Sequence, residues 1–301
     1  MQPKHRSYRL IRQPDRSMEG LILKAVGGLY TVESPSGVLS CKARGIFRKQ
    51  GISPCTGDRV VIEDEVITEI QPRKNLLIRP PLANLDQLIF VLSVRDPAPN
   101  LQLLDRFLAV CVYKGIQPVL VFTKLDLAAA EEYAAIYRFA GFPQYFVDYE
   151  KPETISAVYD ALSGRISAFT GNSGVGKSTL LNALDATLHL ETGDISKKLG
   201  RGRHTTRETA LYTLPHGGKI ADTPGFSTFE TDAYAMIQPD ELADCFPEIA
   251  AVTEPCRYGD CRHLKEPDCA VRAAAAAGEI PQPRYESYAV MMQEALSRKN
   301  Y

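Results

Sequence analysis

The stretch Gly171-Asn172-Ser173-Gly174-Val175-Gly176-Lys177-Ser178 fits the phosphate-binding pattern G-x-x-x-x-G-K-[ST]. An apolar run that is typical of a strand, Ile166–Thr170, precedes it, and a predicted helix over Thr179–Leu184 follows. Glycines let such a loop turn its N–H groups towards phosphates, and the helix N-terminus adds a favourable dipole. We therefore predict that residues 171–179 bind a nucleotide, with Lys177 on the β- and γ-phosphates and Ser178 on Mg²⁺.

Strands and helices alternate on both sides of this loop. The predicted elements are strand Gln87–Val94, helix Leu101–Tyr113, strand Val119–Phe122, helices Ala128–Phe139 and Thr154–Leu162, strand Ile166–Thr170, helix Gly176–Leu184, and a hairpin of Thr209–Leu214 with Lys219–Ala221. Continuous apolar strands that alternate with helices indicate an α/β domain with a mostly parallel sheet. We predict that this domain spans residues 79–232.

The tetrapeptide Thr123-Lys124-Leu125-Asp126 stands where the predicted strand Val119–Phe122 ends, which is where such sheets bind ligands. It resembles the NKxD motif that selects guanine, with Thr in place of Asn. Asp126 can accept hydrogen bonds from the guanine N1–H and amino group, a donor pair that adenine lacks, so we expect GTP rather than ATP. Lys124 would pack its stem against the base. Thr123 is expected to make a weaker or different contact than Asn.

Asp222-Thr223-Pro224-Gly225 resembles the DxxG motif. Asp222 would hold Mg²⁺ through water, and the Gly225 N–H would sense the γ-phosphate and release it on hydrolysis. An ordinary Pro-Gly turn is the alternative interpretation. In most GTPases the base-reading motif comes last, whereas here it precedes both phosphate motifs, so the order is circularly permuted.

The regions on either side of this domain have different textures. Residues 1–16 are polar and basic, and form either a solvated arm or a polyanion contact. Residues 17–78 carry five short β-like runs between turn signals, which predicts an OB-like β-barrel. These runs are Leu21–Val26, Leu29–Glu33, Val38–Lys42, Arg59–Glu63 and Val66–Ile70. Residues 233–301 are predicted to be mostly helical, with segments over Leu242–Phe246, Asp268–Ala277 and Arg284–Arg298.

Cys256, Cys261, His263 and Cys269 lie within fourteen residues of that last region. Three thiolates and one imidazole complete a tetrahedral set, which predicts one structural Zn²⁺ with no open position for catalysis. The alternative is a group of buried cysteines beside a surface histidine. The other four cysteines are dispersed and are expected to pack in cores; they are Cys41, Cys55, Cys111 and Cys245.

Together these motifs resemble the ribosome small-subunit-dependent GTPase A family (RsgA, also called YjeQ) over nearly the whole chain. The resemblance implies a barrel, a permuted GTPase domain and a zinc module that bind the small ribosomal subunit and its rRNA late in maturation. It implies that GTP favours binding and that hydrolysis to GDP and phosphate favours release. It also places a guanine O6 loop near Phe146–Tyr149, where we assign no residue.

The segment Ser196–Arg207 resembles the first switch region of that family. Either Thr205 or Thr206 would close over Mg²⁺ and the γ-phosphate, and we favour Thr206. Many GTPases orient the attacking water with a glutamine after DxxG, but here that position is Phe226. His204 is the nearest polar candidate in the motif, and the resemblance points to the same residue.

The composition is ordinary for a globular protein, with a formal net charge of −1 and 45% apolar residues. The N-terminal residues lack the apolar core of a signal peptide and no apolar stretch approaches a membrane span, so we expect a cytoplasmic protein, most simply a monomer. A rival hypothesis is a zinc-containing RNA-binding assembly module for which GTP is a structural ligand, and the missing glutamine favours it. An ATPase is a second rival, against which Asp126 argues.

Overall fold

The computed structural model describes residues 17–78, 81–187, 209–222 and 237–298. The chain divides between Arg73 and Lys74 into two compact units, which are described separately. The predicted N-terminal arm, His204, Thr205, Thr206, Gly225 and Phe226 lie outside the described residues. The finer domain boundaries given above stay predictions.

The first unit is a closed five-stranded barrel, as predicted. Its strands are β1 (Met18–Val26), β2 (Leu29–Ser34), β3 (Gly37–Ala43), β4 (Arg59–Glu63) and β5 (Val66–Ile70), with a short helix α1 (Gly45–Lys49). They pair in the order β1-β2-β3-β5-β4, and β4 pairs back with β1 to close the barrel. Gly27 and Gly28 both have positive φ, which the tight turn between β1 and β2 requires.

Alternation along these strands fills the barrel interior. The inward side chains are almost fully buried and include Ile22, Val32, Cys41, Val60, Ile62 and Ile67. Their neighbours along each strand are more exposed, as expected for a strand with one face on a core. In the same unit, Arg73 makes a bidentate ion pair with the fully buried Asp58, at 2.6 and 2.7 Å.

The second unit contains a six-stranded sheet in the order β10-β9-β8-β11-β13-β12. Two short strands precede it as a separate hairpin, β6 (Leu76–Ile78) and β7 (Pro81–Ala83). The sheet strands are β8 (Gln87–Ser93), β9 (Gln117–Thr123), β10 (Gln144–Phe146), β11 (Ile166–Thr170), β12 (Ala210–Thr213) and β13 (Lys219–Asp222). All neighbours pair in parallel except β12, which is antiparallel to β13.

Helices connect the strands of this sheet, and further helices follow its last strand along the chain. They are α2 (Leu101–Tyr113), α3 (Glu131–Tyr137), α4 (Pro152–Ala161), α5 (Lys177–Thr187), α6 (Pro247–Ala250), α7 (Ala270–Ala276) and α8 (Gln282–Ser297). Every residue of β8 and β11 is buried, which explains why their sequences are continuous apolar runs rather than alternating ones. No helix within the described ranges is long and apolar enough to cross a membrane.

Helix α8 is fixed to α2 and α6 by a buried ion cluster. The guanidinium of Arg284 on α8 contacts Asp105 on α2 at 2.6 Å and Glu248 on α6 at 2.5 Å. The side chains of all three residues are at most 1% exposed. Tyr137 donates a hydrogen bond to the same Asp105 oxygen at 3.0 Å. Through its two carboxylate partners, Arg284 joins helices α2, α6 and α8.

Candidate nucleotide site and metal centre

The motifs predicted to bind nucleotide meet at the carboxyl edge of the parallel sheet. The phosphate-loop residues 171–178 follow β11, and Thr123 is the last residue of β9. Strand β8 lies between these two strands, and its register sets Ser93 beside Thr123 and Phe90 beside Thr170. A topology of this kind opens a crevice at the strand ends, where a ligand can contact both loops.

The phosphate loop needs glycine for two physical reasons. A Cβ on Gly171 would lie 2.6 Å from the carbonyl oxygen of Val91, so β8 leaves no room for a side chain there. Gly174 and Gly176 have φ values of +82° and +91°, a backbone conformation that favours glycine. The loop then enters α5, which begins at Lys177.

Lys177 is half-buried, and burial lowers the pKa of its ammonium group. Burial of a cation is unfavourable, so the site favours an anionic ligand that would offset that cost. Ser178 and Thr179 are exposed in the first turn of α5, where the helix dipole favours negative charge. The residues present therefore fit a bound phosphate with its Mg²⁺.

Thr123 joins the base-reading segment to the phosphate loop. Its side chain is buried, and its hydroxyl lies 2.7 Å from the carbonyl oxygen of Val175 and 3.3 Å from that of Leu92. The short side chain thus reaches the phosphate loop across the end of β8.

The next residues turn sharply out of the sheet. Lys124 has φ +58°, and its ammonium group contacts the carbonyl oxygen of Asp96. The Leu127 N–H donates to the Lys124 carbonyl at 3.0 Å, which closes the turn. Leu125 is half-buried and Asp126 is exposed, so the Asp126 carboxylate is accessible to a ligand.

The loop after β10 lies at the same edge. Val147 donates its N–H to the carbonyl of Phe122 at 2.9 Å, and Phe146 stacks on Phe122 with ring centroids 5.4 Å apart. Thr154 then fixes the turn through its hydroxyl, which accepts from the Asp148 N–H at 3.1 Å. Sequence reasoning expected a guanine-contacting loop here but identified no residue, because the three-residue strand β10 carries no clear periodicity.

The switch residues proposed from sequence fall largely beyond what the structure describes. Asp222 ends β13 beside β11, so its backbone reaches the edge where the phosphate loop begins. His204, Thr206 and Gly225 lie outside the described residues.

The four predicted metal ligands come together in the second unit. The ligand atoms of Cys256, Cys261, His263 and Cys269 all lie within 4.8 Å of one another. Cys256 Sγ is 3.5 Å from His263 Nδ1 and 3.8 Å from Cys269 Sγ, and His263 Nδ1 is 3.4 Å from Cys269 Sγ. Ligands on a tetrahedral Zn²⁺ with bonds of about 2.0–2.3 Å stand about 3.4–3.8 Å apart, so the cluster fits a metal ion.

Residues that the sequence did not single out stabilise the loop between the candidate metal ligands Cys261 and Cys269. Glu266 accepts the N–H groups of Arg262, Leu264 and Lys265 at 3.0, 2.8 and 3.0 Å. Burial alone would raise its pKa, but these backbone donors lower it to about 2. From α8, Tyr285 donates to the His263 carbonyl at 2.8 Å and Tyr288 to that of Arg262 at 3.1 Å.

A parallel sheet with a phosphate loop after β11 and a guanine-type motif after β9, in that reversed chain order, defines a circularly permuted P-loop GTPase. Two family models match the chain, the RsgA N-terminal domain over residues 19–69 and the RsgA GTPase over residues 70–232. The chain belongs to the RsgA GTPase family.

Relatives and solved structures agree with this assignment. A protein of Bacillus cereus named "Small ribosomal subunit biogenesis GTPase RsgA" is 41% identical over 93% of this chain and 98% of its own. A protein of the same name from Moorella thermoacetica is 43% identical over 94% and 99%. YjeQ from Thermotoga maritima is 34% identical over 94% of this chain and 100% of its own, with a TM-score of 0.79. YloQ, described as a circularly permuted GTPase, is 34% identical over 96% and 99%, with a TM-score of 0.77.

Proposed function

We propose that this chain hydrolyses GTP on the small ribosomal subunit late in its maturation, and that hydrolysis drives its release. The observation that supports the GTPase part is the contact of Thr123 with the carbonyl of Val175, because it joins the segment proposed to read the base to the segment proposed to bind phosphate. The names of relatives at 41–44% identity support the small subunit as partner.

Base selection would come from Asp126. Its exposed carboxylate can accept from both guanine donors, and two hydrogen bonds to a charged group distinguish guanine from adenine strongly. Leu125 and the stem of Lys124 would line the base. The phosphate groups would bind along residues 171–179, with their charge beside the half-buried Lys177.

Attack of water on the γ-phosphate would be assisted by Lys177, which stabilises the charge that develops on the phosphate oxygens. Ser178, Thr206 and Asp222 would hold Mg²⁺, which supplies further charge neutralisation when bound with GTP. His204 would position the water, since Phe226 has no polar group to do so. The Gly225 N–H would contact the γ-phosphate, and hydrolysis would break that contact.

The cluster of Cys256, Cys261, His263 and Cys269 would bind one Zn²⁺ in a structural role. Four protein ligands fill a tetrahedral shell, so no position remains for a substrate or catalytic water. Arginines near this cluster, such as Arg257 and Arg262, and the basic residues of the barrel would contact rRNA phosphates. We propose that the protein acts as a monomer.

The decisive experiment measures GTP turnover alone, with purified small subunits and with purified large subunits, with ATP as the nucleotide control. Strong stimulation by small subunits only is the expected result, and His204→Ala should abolish that stimulation while GTP binding persists. Tight GTP binding without stimulation by any subunit would favour the rival assembly module. Equal turnover of ATP and GTP would refute guanine selection.

A further inference from the structure

The Thr123 hydroxyl has one hydrogen, and the protein itself uses it. Both atoms within its reach, the carbonyl oxygens of Val175 at 2.7 Å and Leu92 at 3.3 Å, are acceptors, so the hydroxyl donates to the main chain. An asparagine amide carries two N–H donors, one for the loop and one for a ligand. Threonine at this position therefore leaves the base site one donor short.

Guanine brings acceptors that need such a donor. When Asp126 accepts from N1–H and the amino group, the adjacent edge of the base presents O6 and N7, both of which are acceptors. An acceptor that leaves water for a site without a donor costs free energy. The missing amide of Thr123 must be replaced for that edge of the base to be satisfied.

Tyr149 places a second hydroxyl at this position. A Cβ built on Gly176 would lie 3.5 Å from Thr123 Oγ1 and 3.7 Å from Tyr149 Oη, so both hydroxyls stand around the same point of the phosphate loop. A tyrosine hydroxyl is protonated at neutral pH and can donate, and burial raises the pKa of Tyr149 further, to about 12. Within the described ranges its hydroxyl makes no hydrogen bond, and 38% of the residue is exposed.

The loop holds Tyr149 in place from both sides. The residue two positions earlier, Val147, is bonded to the end of β9, and Asp148 is tied to Thr154 at the start of α4. The ring is therefore presented by ordered backbone beside the segment that reads the base. We infer that Tyr149 donates its hydroxyl hydrogen to the N7–O6 edge of guanine and so replaces the amide that Thr123 lacks. This inference rests on the proposed binding of GTP.

The test is GDP affinity of the full chain, measured by calorimetry for wild type and Tyr149→Phe. Two modified nucleotides remove one acceptor each: 7-deaza-GDP lacks N7, and 6-thio-GDP replaces O6 with a weaker acceptor. Tyr145→Phe is the matched control, because it removes a hydroxyl from the same segment but from a side chain that packs on the core. Loss of one neutral hydrogen bond predicts about 3- to 10-fold weaker GDP binding by Tyr149→Phe, and unchanged binding by Tyr145→Phe.

The modified nucleotides decide what the hydroxyl contacts. We expect wild type to lose affinity for 7-deaza-GDP or 6-thio-GDP by a similar factor, and Tyr149→Phe to have lost that sensitivity. Equal GDP affinity of wild type and Tyr149→Phe would overturn the inference, as would equal sensitivity of both proteins to the modified bases. Tighter binding by Tyr149→Ala would overturn it as well, because the ring would then obstruct the base. Failure of wild type to bind GDP would instead refute the proposed function.

Discussion

Replacing Arg284 by methionine should destabilise the second unit far more than any single surface charge. Methionine keeps much of the aliphatic volume but removes the cation that contacts Asp105 and Glu248 in a fully buried position. Breaking a buried ion pair by removing one partner costs about 3–5 kcal/mol, because the remaining charge is left uncompensated. For a unit of this size a loss of about 4 kcal/mol corresponds to a fall in Tm of about 8–16 °C.

The loss should also depend on pH. Burial raises the pKa of Asp105, although the charge of Arg284 pulls it down. A carboxyl with a raised folded-state pKa binds its proton more tightly when folded, so its contribution to stability is full below the unfolded pKa and declines as pH rises through the folded pKa. Removing Arg284 raises that pKa further. The destabilisation should therefore be smaller at pH 5.5 than at pH 7.5.

Denaturant unfolding followed by circular dichroism at both pH values measures this difference. Arg106→Met is the matched control, because Arg106 pairs with Glu294 across the same two helices but that glutamate side chain is 42% exposed. A partly exposed pair should contribute about 1 kcal/mol or less. Equal losses for the two variants, or a loss for Arg284→Met that is the same at both pH values, would refute the reasoning.

Three further changes test the nucleotide site and the metal centre. Thr123→Val leaves the Val175 carbonyl without its donor, which should cost about 1–3 kcal/mol of stability and weaken GDP binding. Wild-type stability in denaturant unfolding and wild-type GDP affinity in calorimetry would contradict a role for this hydrogen bond. Asp126→Asn should weaken GDP binding about 100-fold or more. It should improve binding of xanthosine diphosphate, whose base has an acceptor oxygen where guanine has its amino group. Retained GDP affinity would exclude Asp126 as the residue that selects the base. Glu266→Gln should weaken zinc affinity about 10- to 100-fold in chelator competition, because the loop loses its charged acceptor, whereas the exposed Glu279→Gln should not.

The long buried strands could be predicted because a strand buried on both faces is a nearly continuous apolar run in the sequence. Strands β8, β9 and β11 lie where the apolar runs are, and α2 begins and ends at the predicted residues. Asn100 caps the start of α2, accepting from the Leu103 N–H at 3.0 Å. Helix α3 begins at Glu131 rather than Ala128, since the preceding residues form a turn after the base-reading segment. Burial of Cys41, Cys55, Cys111 and Cys245 confirms their prediction as packing residues.

Short or half-exposed elements could not be predicted from the sequence. Strand β10 has three residues, none of them buried; β6 and β7 also have three residues and α1 has five, so no period is established before each element ends. Tertiary contacts rather than local pattern form these elements.

The candidate site divides along the same line. The phosphate loop, the tetrapeptide 123–126 and the four candidate metal ligands could be predicted because the chemistry of each is encoded by local spacing. The approach of Tyr149 to Gly176 and the burial of Arg284 depend on the packing of distant segments. Nothing in the local sequence around Arg284 indicates that its side chain is buried between two carboxylates from other helices.

The strand order also constrains how this protein can fold while it is being synthesised. Strand β8 is completely buried, yet its partner β11 begins roughly 70 residues later in the chain. At about 5–20 residues per second, the apolar edge of β8 stays uncovered for roughly 4–15 s, and β9 and β10 are synthesised during that interval. An unpaired apolar edge is an aggregation hazard. The permuted motif order therefore leaves the first half of this sheet with an exposed apolar edge until β11 has been synthesised.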